Sequence, residues 1–242
     1  MLLPEGGLRV WSFIVTLFGD LARGPRDTLS GSTLTALTGR VGIKPASMRV
    51  ALHRLRKDGW IDSRRDGRAS LYFLTDFGRA ETLAATRRIY APRPPTGKEW
   101  HLALTPPGPD APPLPGIRIL PGVSLGPGPA PEIEGALTLS GRLGAVPDWV
   151  RRALVSDALR ADYAQFEARL ARVAPLLEPS LPALERAVLR GLIVHDWRRL
   201  LLRHPDLPDD FLGPDCRIGP CRTQVMALLE RLGPVTPEDL AA

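Results

Sequence analysis

Between Gly42 and Leu74 the apolar pattern changes its period once, and that change dictates the local fold. In GIKPASMRVALHRLRKDGW, Pro45 stands where a first helical turn begins, a place where its fixed φ and missing N–H cost nothing. Met48, Leu52 and Leu55 then recur at i, i+4 and i+7, which is one face of an α-helix, and Gly59 supplies the stop. At about 100° per residue, Ala46, Ser47, Val50, His53, Arg54 and Lys57 fall on the opposite face, with Arg49 on its flank. One face is core; the other is small, polar and basic. After Gly59 the spacing becomes strand-like. Trp60 and Ile61, then Leu71, Tyr72, Phe73 and Leu74, flank the tip Arg64-Arg65-Asp66-Gly67-Arg68. Asp-Gly between two such runs signals a hairpin.

The residues around this stretch extend it into a domain. Val10, Phe13, Ile14, Leu17, Phe18 and Leu21 predict a first helix over residues 9–22, with an apolar stripe wide enough for more than one partner, a dimer mate being one candidate. Arg23-Gly24-Pro25 ends it, and Ser32-Thr33-Leu34-Thr35-Ala36-Leu37 begins a short second helix with hydroxyls available to cap it. Thr75-Asp76 then caps a further helix over Phe77–Tyr90. Helix, helix, turn, helix, wing is the order of a winged helix-turn-helix domain, placed at residues 1–92. Charge supports a polyanionic partner for this part. Residues 1–90 carry 15 Lys+Arg against 8 Asp+Glu, whereas residues 91–242 carry 17 against 18.

Residues 91–131 hold 13 of the chain's 26 prolines, which excludes continuous helix there. Apolar islands at Trp100–Leu104, Ile117–Leu125 and Ala136–Leu139 predict three strands of a small sheet, in a domain over residues 93–176. From Pro147 the pattern is helical: one segment runs to Pro175, a second covers Leu181–Arg203, and a short last helix covers Thr223–Leu232. The final part, residues 177–242, is thus an all-α domain. No run of about 18 apolar residues exists to span a bilayer, and no export signal is visible at the N-terminus, so a cytoplasmic protein without a membrane partner is expected.

Three stretches carry a resemblance to the PaaX-type repressors of phenylacetate degradation: FIVTLFGDLARG, MRVALHRLRKDGWIDSRRDGRASLYFLTDFGRA and HDWRRLLLRHPDLPDDFL. The resemblance implies an α+β chain with three parts: the N-terminal winged helix, a small central ferredoxin-like domain similar to that of CRISPR-associated Cas2 proteins, and a helical C-terminal domain. It also implies a homodimeric repressor that binds a palindromic operator in double-stranded DNA and is released by an acyl-CoA effector, phenylacetyl-CoA for the best-known members. The chain departs from the pattern twice. Pro106–Pro115 cannot form the helix expected between the first two central strands, and Cys216 and Cys221 stand where the family has aromatic and small apolar residues.

In such a domain the second helix of the motif enters the major groove. Ser47, Arg49, Val50 and Arg54 are the base-reading candidates, since Arg bonds guanine bidentately, Ser bonds several edges and Val touches a thymine methyl. Lys44 and Lys57 are placed for phosphates, and Arg64, Arg65 and Arg68 give the wing tip three cations for a minor groove or the backbone. In the second C-terminal helix, Arg198, Arg199 and Arg203 near His195 and Trp197 are candidates to hold the phosphates and thioester of an acyl-CoA. The plainer reading makes Trp197 core and the arginines a polar helix face. The alternative to DNA binding is a winged-helix module that binds another protein. No catalytic residue or cofactor is expected: no acid ends the strand Trp100–Leu104, Glu99 lies on its wrong side for a Cas2-like nuclease, and no Gly-rich phosphate loop follows a strand. Cys216 and Cys221, with His195 or His204, are too loosely spaced to indicate zinc.

Overall fold

The computed structural model describes residues 9–92, 99–106, 108, 111–142, 144–178, 180–204, 207, 211–213 and 215–241. The fold is α+β, with two small antiparallel sheets among the helices. Contacts gather the chain into two compact units. One holds the described residues of Met1–Pro92, Phe166–Arg199 and Cys221–Ala242, the other those of Arg93–Gln165 and Leu200–Pro220. This grouping cuts across the consecutive division at residues 92 and 176, because packing recruits late helices into the core of early ones.

The first unit opens with α1 (Val10–Leu21), β1 (Leu29–Ser30), α2 (Gly31–Arg40), α3 (Pro45–Lys57), β2 (Ile61–Asp66), β3 (Ala69–Leu74) and α4 (Asp76–Ile89). Ser30 caps α2 by accepting from the Thr33 N–H at 3.0 Å, and Thr75 caps α4 by accepting from the Gly78 N–H at 3.0 Å. The three strands form a sheet in the order β1-β3-β2. β1 escaped the sequence reading: two residues carry no periodicity. The hairpin is longer than its composition suggests, since Asp66 pairs with Ala69 and only Gly67-Arg68 turns. Gly67 adopts φ 57°, the first-position glycine that a tight two-residue hairpin turn requires.

Every residue of α1 from Ser12 to Phe18 is buried. The second partner of its wide apolar stripe is a segment of the same chain, α7 (Ala183–Leu201), whose Ala187, Val188 and Leu192 join Phe13, Ile14, Leu17 and Phe18 in one core cluster. Gly191 permits the approach: a Cβ there would stand 2.9 Å from Leu17 Cδ2. Polar groups are matched along the same seam. Arg190 Nε and Nη2 each donate to one oxygen of Asp20 at 2.9 Å, and Nη1 donates to the carbonyls of Leu229 and Gly233. Tyr90 donates its hydroxyl to Asp20 Oδ1 at 2.6 Å, and burial first, then the Asp20 charge, pushes that phenol well up from its usual value. The unit is completed by the later part of α6 (Asp157–Val173) and by α8 (Ile218–Leu232), five residues longer at its start than the apolar pattern indicated.

The second unit contains β4 (Trp100–Leu104), β5 (Ile117–Leu120), β6 (Val123–Pro127) and β7 (Leu137–Gly141) in the order β5-β6-β4-β7. Four strands stand where three were expected. Pro121-Gly122 splits the island Ile117–Leu125 into a hairpin, with Gly122 at φ 71° in the position where a Pro-Gly turn demands a positive φ. The predicted long helix from Pro147 is likewise two, α5 (Asp148–Leu154) and α6, because Ser156 interrupts it and caps the next turn through the Leu159 N–H. Trp100 packs edge-on against Phe211 with centroids 4.8 Å apart, and Tyr163 bonds His204 Nε2 at 2.7 Å. No helix among the described residues is long and apolar enough to cross a membrane.

The Asp20–Arg190 pair yields the first prediction. Asp20→Ala leaves a buried guanidinium without its counter-charge, and urea unfolding should show a loss of about 3–5 kcal/mol.

Candidate nucleic-acid interface

The α3 helix is held by its apolar face and leaves its basic face bare. Met48, Ala51, Leu52 and Leu55 are buried, while Lys44, Ser47, Arg49, Val50, Arg54 and Lys57 are all exposed. The turn before α3 is set by Gly42 at φ 77° and by the Ile43 N–H donating to the Thr38 carbonyl at 3.0 Å. Thr38 also donates to Met48 Sδ at 3.4 Å, tying α2 to α3 from the inside. Val50 is 71% exposed on a face otherwise small, polar and basic. A branched apolar side chain standing free there has nothing within the unit to pack against.

The basic residues fall into two groups. Lys44, Arg49 and Lys57 pair with no acid among the described residues. Arg54 is held: its guanidinium lies 5.4 Å over the Trp11 ring and its Nε reaches Asp58 Oδ2 at 3.4 Å. Trp11 and Asp58 are therefore part of the surface, and both were missed. Asp58 at i+4 from Arg54 was available from helical spacing; Trp11 reaches α3 only through the tertiary fold. Arg56, absent from the candidates, pairs with Asp62 at 3.6 Å.

On the hairpin, Arg64 and Arg65 are consecutive strand residues and leave opposite faces, so the three wing cations do not share one face. Arg64 sits 6.0 Å over the Phe73 ring. Arg65 and Arg68 are exposed and have no acidic partner among the described residues. Arg68 occupies the turn itself, the farthest point of the hairpin from Ile61 and Leu74 in the core.

The five effector candidates do not reach a common surface. His195 and Trp197 are fully buried. His195 faces Thr16 Oγ1 at 3.3 Å and Phe13 edge-on, and Trp197 donates to the Ile89 carbonyl at 2.9 Å and stacks on Phe166. Arg198 donates to Ser12 and Thr16 on α1, Arg199 is exposed, and Arg203 belongs to the second unit, where it pairs with Asp162. Cys216 and Cys221 are buried thiols, and no group of His, Cys, Asp and Glu suited to a metal ion occurs among the described residues.

Comparison with known proteins bears on the whole chain. Residues 9–78 match the family described as PaaX-like protein, and residues 155–234 match the PaaX-like protein C-terminal domain. The chain belongs to the PaaX family. A relative, the transcriptional repressor PaaX of Escherichia coli (strain K12), is 28% identical over 92% of this chain and 80% of its own length. The uncharacterized protein Rv0674 of Mycobacterium tuberculosis shares the fold, with a TM-score of 0.53 and 21% identity over 90% of this chain and 94% of that one. The family is one of regulators, not enzymes.

The buried pair on α7 gives a pH prediction. Burial, then the Arg199 and Arg198 cations, lowers His195 from 6.5 to about 3, and burial raises Asp196 from 3.8 to about 6 against the pull of Arg169 and Arg199. At His195 the native state binds fewer protons than the unfolded chain, so its contribution is present above pH 6.5 and is lost as pH falls toward 3. Asp196 has the opposite sign, its contribution being present below pH 3.8 and lost as pH rises through 6. His195→Gln removes the first effect only. In urea unfolding at about pH 7 and about pH 4.5, the stability gap between parent and variant should narrow on acidification.

Proposed function

We propose that this protein is a DNA-binding, one-component transcriptional regulator and that its first unit acts as a winged helix-turn-helix. The observation that carries the reading is the α3 face: Lys44, Arg49 and Lys57 without acidic partners beside an exposed Val50, on a helix anchored by Met48, Leu52 and Leu55. A surface of uncompensated cations with one apolar contact suits a major groove, where phosphates take the charge and a thymine methyl takes the valine. A protein partner would favour aromatic and apolar anchors over unpaired lysines. Arg49 and Arg54 are the guanine readers, with Arg54 pre-set by Trp11 and Asp58. Ser47 reads an adjacent edge. Arg65 and Arg68 grip phosphate or minor groove from the hairpin, with Arg64 beside them.

The protein acts as a cytoplasmic homodimer on a palindromic operator, with recognition helices about 34 Å apart or a multiple of it. It represses a catabolic operon of the phenylacetate type and is released by an acyl-CoA, which needs only to bind one dimer geometry better than the other. The central sheet supports a ferredoxin-like reading: taken in chain order its strands stand 2-3-1-4, all neighbours antiparallel, the order of that fold, with no helix among the described residues of its two crossovers. The three-part division at residues 92 and 176 is then functional, separating DNA reading, the sheet domain and the helical end.

Fluorescence anisotropy of a labelled duplex from the gene's own upstream region, against a scrambled duplex, tests the reading. Preference for the native duplex is expected, and its absence would shift the function to a protein-binding winged helix. Arg49→Ala should weaken the native duplex by about 1–3 kcal/mol and leave the scrambled one nearly unchanged. Replacing Arg64, Arg65 and Arg68 together by Ala should weaken both and flatten the log–log salt dependence by about 2 to 3 units.

A further inference from the structure

The guanidinium of Arg54 rests on Trp11, and Trp11 stands in a turn that α1 does not secure by itself. Ser30 and Thr75 cap α2 and α4, but Arg9, at the N-cap of α1, makes no side-chain capping bond, and the first turn carries no acid. The first N–H groups of an uncapped helix have no intrahelical partner, and such a turn frays. Here it is held from outside. Arg198 Nη1 donates to the Thr16 hydroxyl oxygen at 3.3 Å and to the Ser12 carbonyl at 3.4 Å, with Ser12 Oγ 3.5 Å away. Thr16 in turn donates its hydroxyl to the Ser12 carbonyl at 3.0 Å, and both residues are buried. Asp20 meets Arg190 and Ser12 meets Arg198, so α1 and α7 run antiparallel and α1 is gripped at both ends. The bidentate pair at the Asp20 end already sets the register. A cation beside a first turn stands at the positive end of the helix dipole, where charge is not stabilising. The contact of Arg198 is better accounted for by what that turn carries.

The Arg54 guanidinium lies 5.4 Å over the Trp11 ring, and its Nε reaches Asp58 Oδ2 at 3.4 Å. Nη1 and Nη2 have no partner among the described residues. Those two nitrogens form a donor edge that matches guanine O6 and N7. A long side chain seated in advance also loses less rotamer freedom on binding. We propose that Arg198 is a positioning residue for Arg54: it fixes the first turn of α1, that turn holds Trp11, and Trp11 seats the guanidinium for base reading. The claim goes beyond the DNA-reading function above and rests on it for the guanine that Arg54 contacts, not for the seat itself.

The native upstream duplex, substituted one guanine at a time by deazaguanine, in which carbon replaces N7, gives the reading test. A guanine read by Arg54 is one whose substitution weakens the parent about fivefold or more and leaves Arg54→Ala indifferent. Arg198→Met should lose most of that penalty while keeping the penalty at the guanine defined in the same way by Arg49→Ala, and should bind the scrambled duplex within about twofold of the parent. A full penalty retained at the Arg54 guanine overturns the proposal. Loss at both guanines together also overturns it, since that is the result of a merely structural role. The seat is tested without DNA in the nitrogen–proton correlation spectrum of the isotopically labelled full chain. The Arg54 Nε–H signal, assigned by its absence in Arg54→Ala, carries the ring-current shift of Trp11, and Trp11→Leu and Arg198→Met should both abolish that shift. A shift that survives in Arg198→Met overturns the proposal whatever the duplex does. A lost shift with no guanine dependence in the parent sustains the positioning and defeats only the base reading by Arg54. Thr16→Val, isosteric and without the hydroxyl, takes the place of Arg198→Met in both measurements if thermal unfolding shows that variant unfolded.

Discussion

Asp20 and Arg190 meet with both carboxylate oxygens engaged, inside a seam of α1 and α7 that excludes water. An ion pair so placed adds little net stability, because desolvating both charges offsets their attraction. What it does is specify. An apolar seam of Phe13, Leu17, Val188 and Leu192 alone would tolerate sliding by a turn; a bidentate pair with Tyr90 on the same carboxylate and two carbonyls on the same guanidinium tolerates one register. The orientation of α1 follows from that register, and α3 packs on α1. The basic face is thus aimed by a contact made 170 residues away in sequence.

The same seam explains why so much charge is buried there. Arg198 reaches back to Ser12 and Thr16, Arg222 donates to the Ala91 carbonyl, and Trp197 closes on Ile89. These groups spend their hydrogen bonds on backbone and hydroxyl partners inside the unit. The cations of α3 and the hairpin are in the reverse condition, exposed and mostly without acids.

Where a segment's partner is local, its structure was legible. Pro45, the i, i+4, i+7 apolar set and Gly59 delimited α3, and Asp66-Gly67 placed the hairpin. Pro121-Gly122 held the same kind of information for β5 and β6, and reading Ile117–Leu125 as one strand overlooked it. Ser156 was likewise a visible cap inside an unbroken apolar pattern. β1 was not legible, since two residues become a strand only by pairing with Leu71 and Tyr72.

Chain order and composition by themselves determined the α+β class, the exposed basic helix with its hairpin, and the absence of helix among the described residues of the proline-rich stretch, because propensity, capping and periodicity act over a few neighbouring residues. Only the tertiary structure decided the second partner of α1, the seating of Arg54 on Trp11, the opposed faces of Arg64 and Arg65, and the burial of His195 and Trp197. Each of these depends on which distant surface arrives at a helix face. Sequence shows that a face is apolar or charged; the partner that covers it is chosen by packing.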